Sequence, residues 1–387
     1  MMRINCHSDF QPLKEIVVGR SYNQKSFDFI KELRIRDPLK RILAETEEDL
    51  LNLSAVLEEH NVKVYRPDSP PVELVQEYID NSAKPPIPSL AVRDGYITVA
   101  NTLYRFVYKE EMDSIFSLLI DGKTFDPYKR PDDFNSLEPM NKEELKELTK
   151  MVLPCTSSNS TDNAYKKDNG KFIPGMNIEH TKTIRTHLMD APCLVRLGQR
   201  LIVDNFPSFQ KKWINKEFSQ YTLFNTDIRG HSDGAFCPIK PGLYVHTKDW
   251  ENEYKKSVPG WEGIYLEEQA HESNVIKGFT AIKYSNKGKW WLQGEENNDM
   301  LIKFVEGWLD EWVGYIEETV FDVNMLSINE NLILCTNEPP QQVKDAFKRH
   351  KVEYIITPFR HRFFWDGGLH CITLDVNREG NCEDYFR

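Results

Sequence analysis

Short apolar runs that each end at asparagine recur along the chain and constrain its fold more than any other feature. Four of them are Ile97-Thr98-Val99-Ala100-Asn101, Leu201-Ile202-Val203-Asp204-Asn205, Met325-Leu326-Ser327-Ile328-Asn329 and Leu332-Ile333-Leu334-Cys335-Thr336-Asn337. Asparagine tolerates left-handed backbone and hydrogen-bonds within its own turn, so such a run is typical of a short strand and the turn that ends it. The pattern predicts several similar β-rich units, although periodicity alone does not count them.

Helical patterns alternate with these runs. Between Pro38 and Asn61 an apolar face recurs at steps of four, three and four residues, which predicts an amphipathic helix. The positions of that face are Thr46, Leu50, Leu53 and Leu57. Similar reasoning predicts strands at 15–20 and 62–66 and helices at 142–153, 299–312 and 340–350. The consistent interpretation is a mixed α/β protein.

One large domain over residues 1–387 fits the length and composition. The chain has 387 residues, of which 40% are hydrophobic and 12% aromatic, and this supports a sizeable core and excludes a disordered chain. No change of composition marks a linker between domains. Three stretches are expected to be surface insertions, at 123–138, 156–171 and 251–300.

Charge and cysteine usage exclude several classes of protein. With 49 Lys+Arg against 60 Asp+Glu the net charge is −11, which argues against a protein that binds nucleic acid. No stretch reaches the roughly 18 apolar residues that span a bilayer, and the N-terminus lacks the apolar stretch of a secretory signal, so we expect a cytoplasmic protein. The seven cysteines are scattered with no Cys-x-x-Cys spacing. They are expected to be mostly free thiols, with no metal site.

The strongest candidate for a nucleophile is Cys371, in the segment Gly367-Gly368-Leu369-His370-Cys371. Glycine adopts positive φ easily and lets a ligand approach the backbone, so the glycine pair suits a tight bend that presents the thiol. Free cysteine is more often a small buried apolar side chain than a catalyst. The glycines and the adjacent histidine make the catalytic interpretation about as strong as the structural one.

A catalytic thiol needs a partner, because an unperturbed thiol titrates at about 8.5 and is mostly protonated at neutral pH. His231 lies between two glycines and two residues from Asp233, and it is the candidate base. Asp190, in an apolar context just before a proline, is a candidate to orient that imidazole. On the local sequence alone, a polar surface turn is the more common setting for either residue.

Taken in order, these motifs resemble the amidinotransferases of the guanidino-group-modifying superfamily, with the nearest likeness to glycine amidinotransferase. The likeness runs through segments 9–20, 64–68, 93–94, 190–191, 231–233 and 367–371. Each segment is weak evidence alone, whereas the ordered set is specific. The resemblance implies the pentein fold, a five-bladed α/β propeller of ββαβ-like units around a central polar channel. It also implies no cofactor, and homodimers are common in that family.

The resemblance assigns roles to five residues. Cys371 matches the family's nucleophile, His231 its general acid and base, and Asp190 the carboxylate paired with that histidine. Asp94 and Asp233 match the acidic residues that hold the guanidinium. A guanidinium is a planar cation rich in donors, so paired carboxylates can grip it in a forked geometry.

The implied substrates are L-arginine as amidino donor and a primary amine, glycine or another, as acceptor. Gly368, His370 and Asn324 are expected beside the substrate. The implied chemistry is ping-pong transfer through an amidino-cysteine, with ornithine released.

Two positions depart from the family. Its arginine for the donor's α-carboxylate falls near Trp250, and one of its serines falls near Glu318, so neither residue type is kept. Glu318 would instead attract a cationic acceptor such as a diamine. Other candidates for binding the amino-acid end are Arg105, Lys240, Lys248 and the segment around Trp290.

Three functions remain open from the sequence. The leading one is the amidinotransferase. A hydrolase resembling arginine deiminase, in which water resolves the same intermediate, is the second. The third is a relative that binds arginine without turning it over. The sequence hint for it is that the family's residue types for binding the donor's carboxylate are not kept.

Overall fold

The structure is a computed structural model. It describes residues 4–105, 123–125, 165–168, 171–174, 191–206, 208–227, 231–247, 251–266, 288–289, 291–309, 313–314 and 320–386. Five residues singled out by the sequence lie outside this part of the chain: Asp190, Lys248, Trp250, Trp290 and Glu318. The helix predicted at 142–153 and most of the insertions predicted at 123–138 and 156–171 also lie outside it.

The described strands form small sheets of one repeated kind. In chain order the strands are β1 (Leu13–Val18), β2 (Lys63–Tyr65), β3 (Tyr96–Val99), β4 (Thr102–Arg105), β5 (Lys123–Phe125), β6 (Tyr165–Asp168), β7 (Lys171–Pro174), β8 (Leu194–Leu197), β9 (Arg200–Val203), β10 (Thr222–Asn225), β11 (Phe236–Lys240), β12 (Leu243–Thr247), β13 (Glu262–Leu266), β14 (Leu326–Asn329), β15 (Leu332–Cys335), β16 (Glu353–Ile356) and β17 (Thr373–Arg378). Within the described residues they make five three-stranded sheets and one two-stranded sheet, β6-β7.

All five three-stranded sheets share one topology. They are β17-β1-β2, β3-β4-β5, β8-β9-β10, β11-β12-β13 and β14-β15-β16. In each, the middle strand pairs antiparallel with the first and parallel with the third. One sheet therefore joins the two ends of the described chain, with Val18 of β1 opposite Thr373 of β17.

Helices supply the crossovers that parallel pairs require. The described helices are α1 (Leu33–Glu59), α2 (Val72–Asp80), α3 (Val92–Gly95), α4 (Ser208–Glu217), α5 (Ser232–Ala235), α6 (Glu251–Ser257), α7 (Asp299–Trp308), α8 (Val320–Val323), α9 (Gln341–His350) and α10 (Arg362–Trp365), with a 3-10 turn at Ala191–Cys193. In four sheets one of these helices connects the middle strand to the third. Helix α1 joins β1 to β2, α4 joins β9 to β10, α6 joins β12 to β13, and α9 joins β15 to β16. The predicted mixed α/β class is confirmed. None of the described helices has the length and apolarity needed to cross a bilayer.

The four asparagine-terminated runs are confirmed as strands β3, β9, β14 and β15. At the turn after β14, the backbone N–H of Asn331 donates to the side-chain oxygen of Asn329 at 2.8 Å, which is the local hydrogen bond that favours asparagine there. At the turn after β3, Ala100 rather than Asn101 has the positive φ, 52°. The predicted strand ends are therefore correct, while none of the four terminal asparagines has a positive φ.

The largest core cluster joins α1 to the segment before the candidate nucleophile. The predicted apolar face of α1 is buried at Thr46, Leu50, Leu53 and Leu57, and the structure adds Leu39, Ile42 and Leu43 to it. Its leucines and isoleucine pack with Ile16 and Val18 of β1. Trp365, Leu369 and Ile372 belong to the same cluster, so α1 helps to fix the chain on both sides of Cys371.

Part of the stretch predicted as an insertion at 251–300 belongs to the repeated architecture. Residues 251–266 form α6 and β13, and β13 is the third strand of its sheet, parallel to β12. Its polar composition resembles a surface loop because five of the seven residues of α6 are exposed or half-buried.

Candidate active site

A short helical turn comes just before the first strand of each three-stranded sheet. The pairs are α3 with β3, the 3-10 turn with β8, α5 with β11, α8 with β14 and α10 with β17. The 3-10 turn contacts α3 and α5, α5 contacts α8, and α3 contacts β17. Candidate residues distant in sequence lie in or beside these turns. The shared topology therefore gathers them at one end of the sheets.

Cys371 lies in the bend between α10 and β17. Its backbone N–H donates to the side-chain oxygen of Asn324 at 2.9 Å, and its carbonyl accepts from the N–H of Arg93 at 3.1 Å. The bend begins at Asp366, which has a φ of 54°, and a Cβ on Gly367 would lie 3.0 Å from the Cβ of Cys371. The predicted need for glycine before the cysteine therefore has a steric cause.

The thiol of Cys371 is in an environment that opposes its ionisation. The side chain is buried, and burial is the main cause that raises its pKa well above the ordinary value. The charges of Asp233 and Asp94 raise the pKa further, while a backbone hydrogen bond from Gly368 and the charge of Arg93 lower it. Burial and the two carboxylates therefore favour the neutral thiol over the thiolate.

Asp233 is buried on α5 and faces His370. Its Oδ2 accepts a hydrogen bond from Nδ1 of His370 at 2.7 Å. Its Oδ1 is buried and has no hydrogen-bond partner among the described residues. The carboxylate therefore has one oxygen engaged by the histidine and one available to a donor group.

Asn324 connects the segments that carry three candidate residues. Its side-chain amide donates to the carbonyl of Asp233 at 3.2 Å and accepts from the N–H of Cys371, while its own carbonyl accepts from the N–H of His370 at 3.3 Å. The side chain is buried and both of its ends are used. These contacts hold α5 against the nucleophile's bend, and a direct substrate contact for Asn324 stays a prediction.

Asp94 lies in α3, and the side chain of its neighbour Arg93 holds this helix against β17. The neighbouring Arg93 is buried, donates through Nε to the carbonyl of Thr373 at 3.1 Å and pairs through Nη2 with Asp375 at 2.7 Å. Asp94 itself is half-buried, and its effect on the pKa of Cys371 shows that its charge acts on the thiol. Thus the structure brings Asp94, Asp233, His370 and Cys371 together.

His231 immediately precedes α5 and has left-handed backbone, with φ 53° and ψ 61°. Its carbonyl accepts from the N–H of Gly234 at 3.0 Å, which closes the turn. The imidazole is half-buried, so it is not the exposed surface histidine that the local sequence suggests. Its predicted partner Asp190 lies outside the described residues, directly before the 3-10 turn that contacts α5.

A buried carboxylate beside His231 was not singled out by the sequence. Asp204 follows β9, and its Oδ1 accepts a hydrogen bond from Oγ of Ser232, the residue next to His231. Burial raises the pKa of Asp204 to about 7, and the charge of His231 acts in the opposite direction. A signal was present in the sequence, since Asp204 directly precedes the asparagine that ends one of the apolar runs, but its spatial neighbours were not predictable.

Two further predictions concern cations for the amino-acid end of the substrate. Lys240 donates to the side chain of Asn331 at 3.0 Å and to the carbonyl of His350 at 3.3 Å. Its ammonium group is therefore already hydrogen-bonded to a neighbouring unit of the fold. Arg105 ends β4, and its side chain lies outside the described part of the structure. No group of three or more potential metal ligands occurs among the described residues.

Comparison with solved structures identifies the fold. The chain is similar to the inosamine-phosphate amidinotransferase StrB1 from Streptomyces griseus, with a TM-score of 0.58 and 18% identity over 99% of both chains. It is also similar to SxtG, an amidinotransferase from Microseira wollei in the saxitoxin biosynthetic pathway, with a TM-score of 0.59 and 15% identity over 99% of both chains. No family model and no curated protein matches it.

The chain therefore has the fold of these two amidinotransferases. At these sequence identities the likeness establishes the fold, and the activity has to be argued from the site.

Proposed function

We propose that this protein is an amidinotransferase that moves the amidino group of L-arginine to a primary amine through a covalent intermediate on Cys371. The observation that carries the proposal is that Asn324 ties Asp233 to the backbone of Cys371, so that a buried carboxylate with one oxygen unpartnered among the described residues is held near the buried thiol. The charge of Asp94 also acts at this thiol. Two carboxylates next to a nucleophile disfavour an anionic substrate and favour a planar cation with several N–H donors. Arginine's guanidinium has those properties.

Donor binding prepares the nucleophile. The free Oδ1 of Asp233 and the carboxylate of Asp94 would accept N–H bonds from the guanidinium and hold its carbon near the sulfur. The bound cation also opposes the two negative charges that raise the pKa of Cys371. Arginine binding would thus promote formation of the thiolate that attacks it.

The first half-reaction releases ornithine. His231 takes the thiol proton, and Sγ of Cys371 attacks the guanidinium carbon to form a C–S bond. The C–N bond to the departing amine then breaks while His231 returns the proton to that nitrogen. Ornithine leaves and an amidino-cysteine remains. Asp190 is proposed to orient His231.

The second half-reaction transfers the amidino group. A neutral primary amine attacks the amidino carbon and gives its proton to His231, and the C–S bond breaks to restore the thiolate. With glycine as the acceptor the product is guanidinoacetate. We further propose that the five sheets are the blades of one α/β propeller in a single domain, with Gly368, His370 and Asn324 beside the substrate at the channel end.

Mass spectrometry of the protein after quenching with acid tests the covalent step. We expect incubation with arginine alone to add the mass of one amidino group to the peptide that contains Cys371. Adding glycine or another primary amine should then remove the adduct and yield a guanidino product with ornithine. Cys371→Ser should abolish both, whereas the matched variant Cys382→Ser, at a partly exposed thiol, should behave as the wild type.

Other outcomes separate the alternative functions. Citrulline with ammonia would mean that water resolves the intermediate and that the protein is a hydrolase. Arginine binding without adduct or product, whichever amine is supplied, would mean a non-catalytic binding protein. Undiminished ornithine release by Cys371→Ser would eliminate the proposed nucleophile.

A further inference from the structure

Asp204 is a buried carboxylate next to the proposed acid–base residue, and the reaction described above does not use it. The residue is 1% exposed and lies directly after β9. Its backbone N–H donates to the carbonyl of Cys193 at 3.1 Å, which ties it to the 3-10 turn. Its side chain reaches the other neighbouring turn, because Oδ1 accepts from Oγ of Ser232.

The bond to Ser232 acts on the backbone that carries His231. Ser232 is the first residue of α5, is fully buried and follows His231 directly. The left-handed φ of 53° at His231 is uncommon for a residue with a side chain, so neighbouring contacts must hold it. The Asp204–Ser232 hydrogen bond is such a contact, and it anchors α5 to β9.

The electrostatic surroundings of Asp204 also connect it to the imidazole. The groups that act on it are His231, whose charge lowers its pKa, Asp233, whose charge raises it, and the hydroxyl and thiol of Ser232 and Cys193, whose hydrogen bonds lower it. Tyr254 of α6 is also buried, and its burial, followed by the charge of Asp204, raises the pKa of its hydroxyl. Of these groups, His231 is the one that becomes a cation near neutral pH.

We propose that Asp204 is a positioning residue for His231, which fixes the turn that begins at Ser232 and stabilises the imidazolium form. This role rests on the proposed function, because it assumes that His231 carries protons in both half-reactions. A histidine that must hold a proton between the thiol and the departing amine benefits from a nearby carboxylate. Asp204 acts on this imidazole from the β9 side, independently of the predicted partner Asp190.

The decisive variant is Asp204→Asn, which keeps an oxygen acceptor for Ser232 and removes the charge. We expect the pKa of His231, followed by NMR of 13C-labelled histidine and assigned with His231→Gln, to fall by about one unit. The acid limb of the kcat profile should move by the same amount, with the KM for arginine within about twofold, because no donor contact is lost. Asp345→Asn, an exposed carboxylate on α9, is the charge-matched control and should change neither.

A second variant separates charge from hydrogen bonding. Ser232→Ala keeps the carboxylate and removes its donor, so we expect kcat to fall about tenfold with a smaller shift of the His231 pKa. In the unmodified protein, the carboxyl carbon of Asp204 and the ring of His231 should titrate as a coupled pair. This measurement does not depend on how well either variant folds.

An unchanged His231 pKa in folded Asp204→Asn would overturn the inference, as would independent titration of the two groups in the wild type. Neither result would affect the proposed reaction. Conversely, absence of ornithine and citrulline in the wild type would remove the proposed function, while the titrations would still decide whether Asp204 and His231 are linked.

Discussion

The two carboxylates near Cys371 have opposite effects on the free thiol and on the bound substrate. They raise the pKa of Cys371 in the empty site, and they are the groups proposed to bind the guanidinium. In the proposed reaction the same charges would therefore suppress the reactivity of the thiol before the donor arrives and create affinity for the donor. The effect on the pKa of Cys371 and the effect on substrate affinity can be measured separately with single substitutions.

Replacing Asp233 by Asn should separate these two effects. The loss of one negative charge should lower the pKa of Cys371, so its alkylation by iodoacetamide at pH 7 should become faster, by about tenfold per pKa unit. In the wild type the rate should rise with pH, because the thiolate is the reactive form. The KM for arginine should rise about tenfold or more, since a hydrogen bond to a charged group is lost.

Peptide mass spectrometry provides the alkylation rate, with Cys382 in the same molecule as the reference thiol. Asp94→Asn should behave like Asp233→Asn, and the exposed Asp345→Asn should behave like the wild type. Slower alkylation in both site variants would show that their carboxylates do not act on the thiol as proposed.

At the level of single residues, the sequence predicted the polar groups that the structure gathers. Cys371, Asp94 and Asp233 were predicted through an ordered set of motifs, and His370 through its position before the cysteine. Asp204 and Ser232 were not paired in advance, because 28 residues separate them and their hydrogen bond depends on how β9 packs against α5. Such contacts follow from tertiary structure and leave no local pattern.

At the level of elements, helix α1 supports the segment that leads to the nucleophile. Oγ1 of Thr46 accepts from Nε1 of Trp365 at 2.7 Å, and Oε2 of Glu45 meets Nε2 of His361 at 2.8 Å. Arg360 pairs with Asp49 of the same helix at 2.8 Å. The helix therefore contacts the chain at several points shortly before Cys371.

Replacing Thr46 by Val should weaken this support without changing the shape of the side chain. The buried indole N–H of Trp365 would lose its hydrogen bond to Thr46, which should lower the free energy of unfolding by about 1–3 kcal/mol. Urea denaturation measures the change, and Thr46→Ser, which keeps the hydroxyl, should lose less. Equal losses in both variants would indicate that packing of the methyl group matters and the hydrogen bond does not.

The start of α1 shows where prediction from the sequence failed. The periodic pattern placed the beginning of the helix at Pro38, whereas the helix begins at Leu33 and contains Pro38. Proline cannot donate to the carbonyl four residues earlier, and such a position usually disrupts a helix. Here the side-chain amide of Asn298 donates to that carbonyl, on Arg34, at 2.6 Å. A partner 264 residues away therefore replaces the missing donor.

At the level of the whole molecule, a buried cluster of charges connects several sheets. Asp375 of β17 contacts Arg93 of α3, Arg196 of β8 and, at 2.6 Å, Arg378 of its own strand. Arg196 also pairs with Asp9. The three guanidinium groups hold the pKa of Asp375 well below its usual range. Apart from the pair within β17, these contacts join different segments of the chain, so the cluster depends on how those segments pack together.

Asp375→Asn should destabilise the protein by about 3–5 kcal/mol at pH 7, because it leaves buried cations poorly paired. Since the folded-state pKa is depressed, the stabilisation by Asp375 is complete above the unfolded-state pKa of about 3.9 and is lost as the pH falls towards the folded value. The difference in unfolding free energy between wild type and variant should therefore narrow below about pH 4.

Urea unfolding at a series of pH values measures that difference, with the exposed Asp68→Asn as the control that should change little. A difference that stays constant down to pH 2 would show that Asp375 contributes through packing or hydrogen bonding and that its ionisation is unimportant.

The sequence predicted the kind of unit in this molecule better than its arrangement. Strands β3, β9, β14 and β15 were recognised because each has a local signature of apolar residues and a turn. The count of five equivalent sheets was not derivable from that signature, since a unit such as β17-β1-β2 is formed by segments from opposite ends of the described chain. The resemblance to a known family supplied the expected number.

That sheet also sets the order of events during synthesis. Strand β1 is synthesised before β17, the strand that follows Cys371 and pairs with it. Until β17 has emerged and paired with β1, the bend that carries Cys371 cannot take its place beside Asn324 and Arg93. A nascent polypeptide therefore carries no assembled site.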